Sequence, residues 1–426
     1  MPRPISPPPL KRRRLSPPTA PPSPDTLRIF AWNINGIGPF LPPAQKPITT
    51  FFSSTTTSPS PTSGPPKHSL RAFLARHNWP HLLLLQEVHI SPTDHATQSA
   101  VRRAANPSPP SSSPSLPDPG PTYETHFTLP LHLPNARSSS TPPRRAHHGV
   151  LTLIRTDFLH SQKCTLSSPA WDHEGRFSIT TTSGIDGWPR LSIWNVYALN
   201  GTDYPFRDPV TGEVKGTRHE RKREVHALLQ EEVRRLEAQG VQVVLAGDMN
   251  IARDVRDGWP NLRTRPMEHV VNREDFVGRF FEEGGGKEGL GMMDTFREVN
   301  GEEARGYSYR PRGVKWGSSC DRVDYVMVSK GLRGRVREAG ILESGQERGP
   351  SDHVPVFATL EFGGGVKDGG EGVRTEDSKG HSGGKREADS GREDRSHGSQ
   401  NDREETQSQG QDGTSRKRSR FSNGVS

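Results

Sequence analysis

Short apolar runs, each closed by a polar cluster, recur along the chain and mark its strands. Leu27 to Ala31, Leu82 to Leu85, Val243 to Ala246, Val326 to Val328 and Val354 to Phe362 have the length and boundaries of strands rather than helices. Gly149 to Arg155, Arg176 to Thr182 and Leu191 to Ala198 add three more. Helical spacing is rarer. Ser69 is a suitable N-cap for a short helix through Leu70-Arg71-Ala72-Phe73-Leu74, leading into the Leu82 strand. Val225, Leu228, Leu229, Val233 and Leu236 recur at three- and four-residue spacing, and Gly240 ends that longer helix before the next strand. Strands interrupted by a few helices, with no internal repeat, predict an α/β (α+β) sandwich rather than a doubly wound sheet.

Composition changes the domain count. A length of 426 residues alone suggests two or three domains, but 40 prolines, 43 glycines and only 29% hydrophobic residues mean that part of the chain cannot bury enough surface to order itself. One domain, residues 26–363, is expected between a disordered basic, proline-rich tail over 1–25 and a disordered tail over 364–426. Pro42 to Pro66 and Asn106 to Pro121 read as disordered insertions within that domain. The net charge of +8 and the pI of about 9.6 favour a polyanionic partner such as nucleic acid, although basic tails alone produce such a balance. Lys11-Arg12-Arg13-Arg14 and Arg416-Lys417-Arg418-Ser419-Arg420 read as nuclear import signals or as solvated basic tails. Two cysteines, Cys164 and Cys320, exclude a disulfide framework and a cysteine zinc site. No apolar run approaches the roughly 20 residues that span a bilayer, and Met1 to Pro24 lacks the apolar stretch of a secretory signal, so neither membrane insertion nor export is expected.

Five polar clusters close the apolar runs: Trp32-Asn33-Ile34-Asn35, Gln86-Glu87, Gly247-Asp248-Met249-Asn250, Arg322-Val323-Asp324-Tyr325 and Ser351-Asp352-His353. They are expected to project from one rim of a sheet, where loops carry catalytic groups on a rigid scaffold. Glu87 follows four leucines and a glutamine, so its charge must be paired or bind a cation. An internal salt bridge would satisfy it; so would Mg2+, which uses one or two carboxylates plus phosphate and water, with Asn35 and Asp352 available to complete the shell. Asn33 and Asn35 are expected to alternate along a strand and share a face. Gly-Asp-Met-Asn taken alone is turn chemistry, and Asp324 taken alone is compatible with an ion pair to a nearby arginine. His353, between Asp352 and a strand, is a candidate acid or electrophile. Together the groups suit phosphodiester hydrolysis: a metal to neutralise phosphate, a carboxylate to position water, and an imidazole to stabilise charge.

The five clusters in this order resemble the exonuclease III and apurinic/apyrimidinic endonuclease branch of the endonuclease/exonuclease/phosphatase superfamily, over roughly Leu27 to Phe362. Trp171-Asp172-His173-Glu174-Gly175-Arg176, Tyr197-Ala198-Leu199-Asn200 and Met293-Asp294-Thr295-Phe296-Arg297 resemble further elements of that branch. The resemblance implies a DNase I-like four-layer sandwich, two mixed β-sheets packed face to face with flanking helices. It implies Mg2+, with Mn2+ as a substitute, held chiefly by Glu87 with Asn35 and Asp352 nearby and Asp248, Asn250 and His353 close to the metal. It further implies that Asp248 and Asn250 align and activate water, and that His353, oriented by Asp324, contacts the scissile phosphate with Tyr197 and Asn200. Asn33, Arg176 and Arg322 are expected to bind substrate or support this network. The implied protein is a nuclear, monomeric DNA-repair enzyme acting on damaged duplex. It would cut 5′ to abasic sites, leaving a 3′-hydroxyl and a 5′-deoxyribose phosphate, and trim 3′ ends by exonuclease action.

Three departures bear on substrate rather than metal chemistry. Asp321 stands where branch members that act on abasic sites place Trp, with Trp316, Tyr307 and Phe296 as candidate replacements. His89 stands where the branch places lysine, and the two insertions lengthen loops over the DNA-binding surface. A relative with another phosphoester substrate, such as a tyrosyl-DNA phosphodiesterase or a phosphatase, is the alternative enzyme. A nucleic-acid-binding protein that had lost catalysis would show a broken acidic set, and Glu87, Asp248, Asp324 and His353 are all present.

Overall fold

Alternation sorts each apolar run onto two faces. Leu27, Ile29 and Ala31 enter one core while Phe30 and Trp32 enter another, as period-two side chains on a strand must. The computed structural model describes residues 22–42, 68–106, 120–131, 148–282, 289–315 and 318–363. Residues 1–21 and 364–426, with both basic runs, Trp316 and nearly all of the two proline-rich insertions lie outside the described residues.

In chain order the elements are β1 (Thr26–Asn33), α1 (Leu70–Arg76), β2 (Leu82–Gln86), α2 (His95–Ala105), β3 (Tyr123–Thr128), β4 (Val150–Arg155), α3 (Thr156–Ser161), β5 (Thr165–Ser167), β6 (Phe177–Thr181) and β7 (Leu191–Tyr197). Then come β8 (Pro205–Arg207), β9 (Val214–Thr217), α4 (Arg218–Ala238), β10 (Gln242–Asp248), β11 (Gly258–Trp259), α5 (Glu268–Phe280), β12 (Met293–Asp294) and α6 (Thr295–Asn300). The chain finishes with β13 (Cys320–Asp321), β14 (Asp324–Val328), β15 (Val336–Ile341), α7 (Gly345–Arg348) and β16 (Val356–Glu361). Two six-stranded sheets result, ordered β15-β16-β1-β2-β4-β3 and β12-β14-β10-β7-β6-β5.

Each sheet is antiparallel except for one pair near its centre. β1 and β2 run parallel, joined across α1, and β7 and β10 run parallel, joined across α4. The inner faces meet in a shared core of Leu27, Ile29, Leu82, Leu84, Ile193, Val244, Ala246, Val326 and Val356. Leu70, Phe73 and Leu74 of α1 cover the outer face of the first sheet with Val101 of α2. Val225, Leu229 and Val233 of α4 cover the second with Phe276 and Phe280 of α5. This is the four-layer mixed sandwich the resemblance implied.

Local chemistry sets the helix starts. The Ser69 hydroxyl accepts from Ala72 N at 3.4 Å. Thr217 and Glu220 form a reciprocal capping box, Glu220 N to Thr217 Oγ1 at 3.2 Å and Thr217 N to Glu220 Oε2 at 2.6 Å, so α4 begins well before the apolar spacing does. Two expectations need correction. The clusters do not share one sheet's rim: Asn33 and Glu87 follow from the first sheet, Asp248 and Asp324 from the second. Asn33 and Asn35 do not alternate along one strand, because β1 ends at Asn33 and Asn35 turns into the left-handed region at φ 49°. Among the described residues no helix is long and apolar enough to cross a membrane.

Candidate active site

The carboxyl ends of both central parallel pairs adjoin, and there the clusters meet. Register fixes half of the site: Asp248 on β10 lies beside Tyr197 of β7 on one side and Asp324 of β14 on the other. Gly247 is required one residue earlier, because its φ of 139° and a Cβ that would sit 2.1 Å from Val196 O leave room for no side chain. The other half comes from the first sheet, where Asn33 pairs with Gln86 and the chain then turns at Glu87, φ 51°.

Asn33 joins the halves. Its Nδ2 donates to Glu87 Oε1 at 3.1 Å and to Asp248 Oδ2 at 3.0 Å. Tyr197 OH donates to the same Glu87 oxygen at 2.5 Å. Asn250, also left-handed, gives its backbone N–H to Asp248 Oδ1 at 2.8 Å and its amide to Asp248 Oδ2 at 3.2 Å, while Ala198 O holds that amide at 2.9 Å. Asn35 Nδ2 donates to Asp352 Oδ1 at 2.8 Å. His353 Nδ1 donates to Asp324 Oδ2 at 2.8 Å, which leaves Nε2 as the ring's other donor. The loop carrying His353 is tied down through Ser351, whose hydroxyl donates to Asn33 O at 2.6 Å and accepts from His353 N at 3.0 Å.

These contacts separate the charges. Burial pushes the Glu87 carboxyl up, but the neighbouring His89 imidazole and the Tyr197 and Asn33 hydrogen bonds outweigh it and hold the group well below the usual range. Asp248 goes the other way: burial, and then the Asp324 charge, push it up to about 7, against the pull of His353 and Asn33. Burial opposes a charge on His353, yet Asp324, Asp248 and Asp352 raise it to about 10. At neutral pH the site therefore holds a firm carboxylate at Glu87, a carboxyl poised to exchange a proton at Asp248, and an imidazolium at His353.

Several expected residues sit elsewhere. Arg176 is only 2% exposed; its Nε bonds Glu174 Oε2 at 2.7 Å and its guanidinium lies 4.7 Å from the Tyr197 ring centre. It supports Tyr197 from beneath instead of facing a substrate. Arg322 is likewise buried, paired with Asp257 at 2.7 Å and Asp294 at 2.7 Å. Asn200 is exposed on the turn after Leu199 and has no hydrogen bond to the cluster among the described residues. Tyr307 and Phe296 are both buried and so cannot wall an open pocket in place of the missing Trp. The half-buried aromatic at the site is Tyr309, whose ring centre is 4.9 Å from that of His353.

Three further residues carry the site without an evident sequence signal. Ser308 Oγ accepts from Val323 N and Asp324 N, at 3.1 and 3.0 Å, and so fixes Asp324. Lys222, on the buried face of α4, donates to Leu199 O, Met249 O and Asn250 O at 2.7, 3.0 and 3.0 Å, clamping the Tyr197 and Asp248 loops together. Burial pushes its pKa down to about 7, while three carbonyls matching three N–H donors favour the ammonium. A lysine amid helical polar residues reads as solvated surface, which is why α4's spacing hides it. His148 flanks Glu87; a His-His-Gly before a strand was its only trace.

A solved structure shares this fold. The AP endonuclease LMAP from Leishmania major superposes with a TM-score of 0.52 at 16% identity, over 79% of this chain and 88% of that one. The catalytic domain of APE2 from Xenopus laevis gives 0.49 at 17% identity, over 80% and 94%. An AP endonuclease from Archaeoglobus fulgidus gives 0.48 at 15% identity, over 78% and 99%. No curated protein matches the chain in sequence. Residues 30–353 match the endonuclease/exonuclease/phosphatase family. That span opens inside β1, just before Asn33, and closes on His353, so it contains the whole cluster, and the chain belongs to this family.

Proposed function

We propose that this protein is a Mg2+-dependent DNA phosphodiesterase that incises duplex 5′ to abasic sites and trims 3′ ends. The observation that carries the reading is the Asn33 amide spanning Glu87 and Asp248 beside the Asp324–His353 pair, which sets two carboxylates of opposite character and a cation around one point. The residues fit a divalent ion: Asn33 and Tyr197 both donate to Glu87 Oε1, so Oε2, with the His89 imidazole 3.3 Å away, is open to a cation, and Asn35 and Asp352 would supply further oxygen ligands. A bound ion would neutralise phosphate charge and ease departure of the leaving oxygen.

The chain's own groups divide the remaining work. Asp248, held on both oxygens by Asn33 and Asn250, accepts a proton from the attacking water, and its elevated pKa places it near operating pH. The His353 imidazolium donates to a phosphoryl oxygen, with Asp324 fixing the ring. Tyr197 keeps Glu87 ionised, and Lys222 fixes the loops that carry Tyr197 and Asp248. The basic runs Lys11 to Arg14 and Arg416 to Arg420 would direct the enzyme to the nucleus, as expected of a DNA-repair role.

The deciding assay compares abasic, 3′-blocked and 5′-tyrosyl duplexes with Mg2+ and with chelator. Mg2+-dependent incision at the abasic site, lost by a factor of about 10² or more in Asp248→Asn, supports the reading. Hydrolysis of another phosphoester with no abasic incision would overturn it. Asp321 and the burial of Tyr307 and Phe296 favour that second reading, since among the described residues neither of these two aromatics takes the place of the Trp that branch members use against the flipped sugar.

A further inference from the structure

Glu87 has two neighbours that oxygen-preferring metal chemistry does not use. His89 follows it by two residues, and both adopt left-handed backbone, at φ 51° and 55°, a conformation that costs a side-chain-bearing residue about 1–3 kcal/mol and persists only where surroundings enforce it. The enforcing contacts are backbone ones: Gly36 N to Glu87 O at 2.7 Å, Ile37 N to Val88 O at 3.1 Å and Val88 N to Gly149 O at 3.1 Å. The last of these ties the Glu87 turn to the segment that carries His148.

The three side chains converge. One donor atom each from Glu87, His89 and His148 lies within 4.8 Å of the others. His89 Nε2 stands 3.3 Å from Glu87 Oε2, and His148 Nδ1, in a residue 9% exposed, is buried without any hydrogen-bond partner among the described residues. A buried imidazole nitrogen with no partner wastes its bonding capacity unless a ligand takes it. Two metal bonds of about 2.0–2.2 Å at a tetrahedral angle separate their donors by about 3.3 Å, so the His89–Glu87 spacing is already that of two ligands on one ion.

We propose that Glu87, His89 and His148 form a two-histidine, one-carboxylate site for a nitrogen-preferring divalent ion of the zinc class, at the edge of the phosphate site. Two imidazoles and one carboxylate are the ligand set of open zinc sites, which keep a fourth position for water or a phosphoryl oxygen. Mg2+ prefers an all-oxygen shell. The site rests on the reading of Glu87 as a metal ligand and adds, beside the proposed Mg2+ position, a second position that its histidine neighbours select for.

Co2+, a spectroscopic stand-in for Zn2+, provides the test on the full-length chain. The parent is expected to bind one Co2+ with visible d–d bands of a four- or five-coordinate ion, bleached when Zn2+ is added. His148→Asn and His89→Lys are each expected to weaken Co2+ binding by a factor of about 10 or more, with far-UV circular dichroism showing the fold intact. Only the spectrum of the hydrated ion with the parent, or bands that survive either substitution, would overturn the site. Phosphodiester hydrolysis in Mg2+ on the same preparations separates the two readings. Hydrolysis without cobalt bands removes this site alone; cobalt bands without hydrolysis of any phosphodiester remove the proposed activity alone.

Discussion

Replacing Asp324 by Asn tests the charge arrangement most directly. The Asp324 carboxylate accepts from His353 Nδ1 at 2.8 Å, and its charge also pushes the adjacent Asp248 upward. A buried hydrogen bond to a charged group contributes about 1.5–3 kcal/mol, which corresponds to about 1–2 pH units in the pKa of the group it stabilises. In Asp324→Asn, His353 should therefore titrate about 1–2 units below its parental value, and Asp248 should also fall, having lost a neighbouring negative charge. Activity that needs ionised Asp248 and protonated His353 runs between about 7 and about 10 in the free parent enzyme. Both limbs of the kcat/KM profile should move to lower pH in the variant. Stability supplies an independent reading. His353 carries its proton up to about 10 in the fold against 6.5 in its ordinary state, so its contribution is complete below 6.5 and lost as pH rises through 10. The variant should lose much of that pH dependence in urea unfolding. An alkaline limb left in place by Asp324→Asn would refute the assignment of that limb to a His353 charge sustained by Asp324.

Asn33→Ala removes a donor from Asp248, so the acid limb should rise by about 1–2 units, and kcat should fall further than KM rises; an unmoved acid limb would dissociate Asn33 from Asp248. Lys222→Met strips the partner from three buried carbonyls and should destabilise the fold by about 3 kcal/mol or more in urea titration. A loss below about 1 kcal/mol would mean that those carbonyls find other partners. Gly247→Ala forces a Cβ against Val196 O at the parallel pair's end, with an expected cost of at least about 2 kcal/mol and displacement of Asp248. Near-parental melting together with near-parental activity would show that β10 and β7 can part there without harm.

Much of the framework was legible because burial writes a strong local pattern. The Leu82 to Leu85 and Val243 to Ala246 runs are apolar at every position, as strands covered on both faces must be, and their observed spans extend past the expected ones by at most two residues at an end. Weakly patterned elements escaped. α2 buries only Val101, Ala104 and Ala105 of its eleven residues, and the edge strand β15 places Arg337 and Glu338 among its apolar positions, so neither carries a clear period. The clusters were legible by residue type and order, since a carboxylate or amide at the end of an apolar run stands out from its surroundings.

Distance between clusters was not encoded locally. That Asp248 lies level with Tyr197 and Asp324 follows from strand register, and that Asn33 reaches both Glu87 and Asp248 follows from the face-to-face packing of two sheets. Arginines show the limit most sharply: Arg176 and Arg322 are polar letters beside functional motifs, yet packing sinks both into ion pairs beneath the site. Lys222, Tyr309 and His148 gain their places only when α4, the 308–310 segment and the start of β4 are brought alongside the clusters. The sequence by itself determined which groups are available and at which strand ends, because hydrophobic periodicity is a local property of the chain. Only the tertiary structure decided which of them share one charge field, because electrostatic and hydrogen-bond coupling acts over a few ångströms of space between residues that can be hundreds apart in the chain.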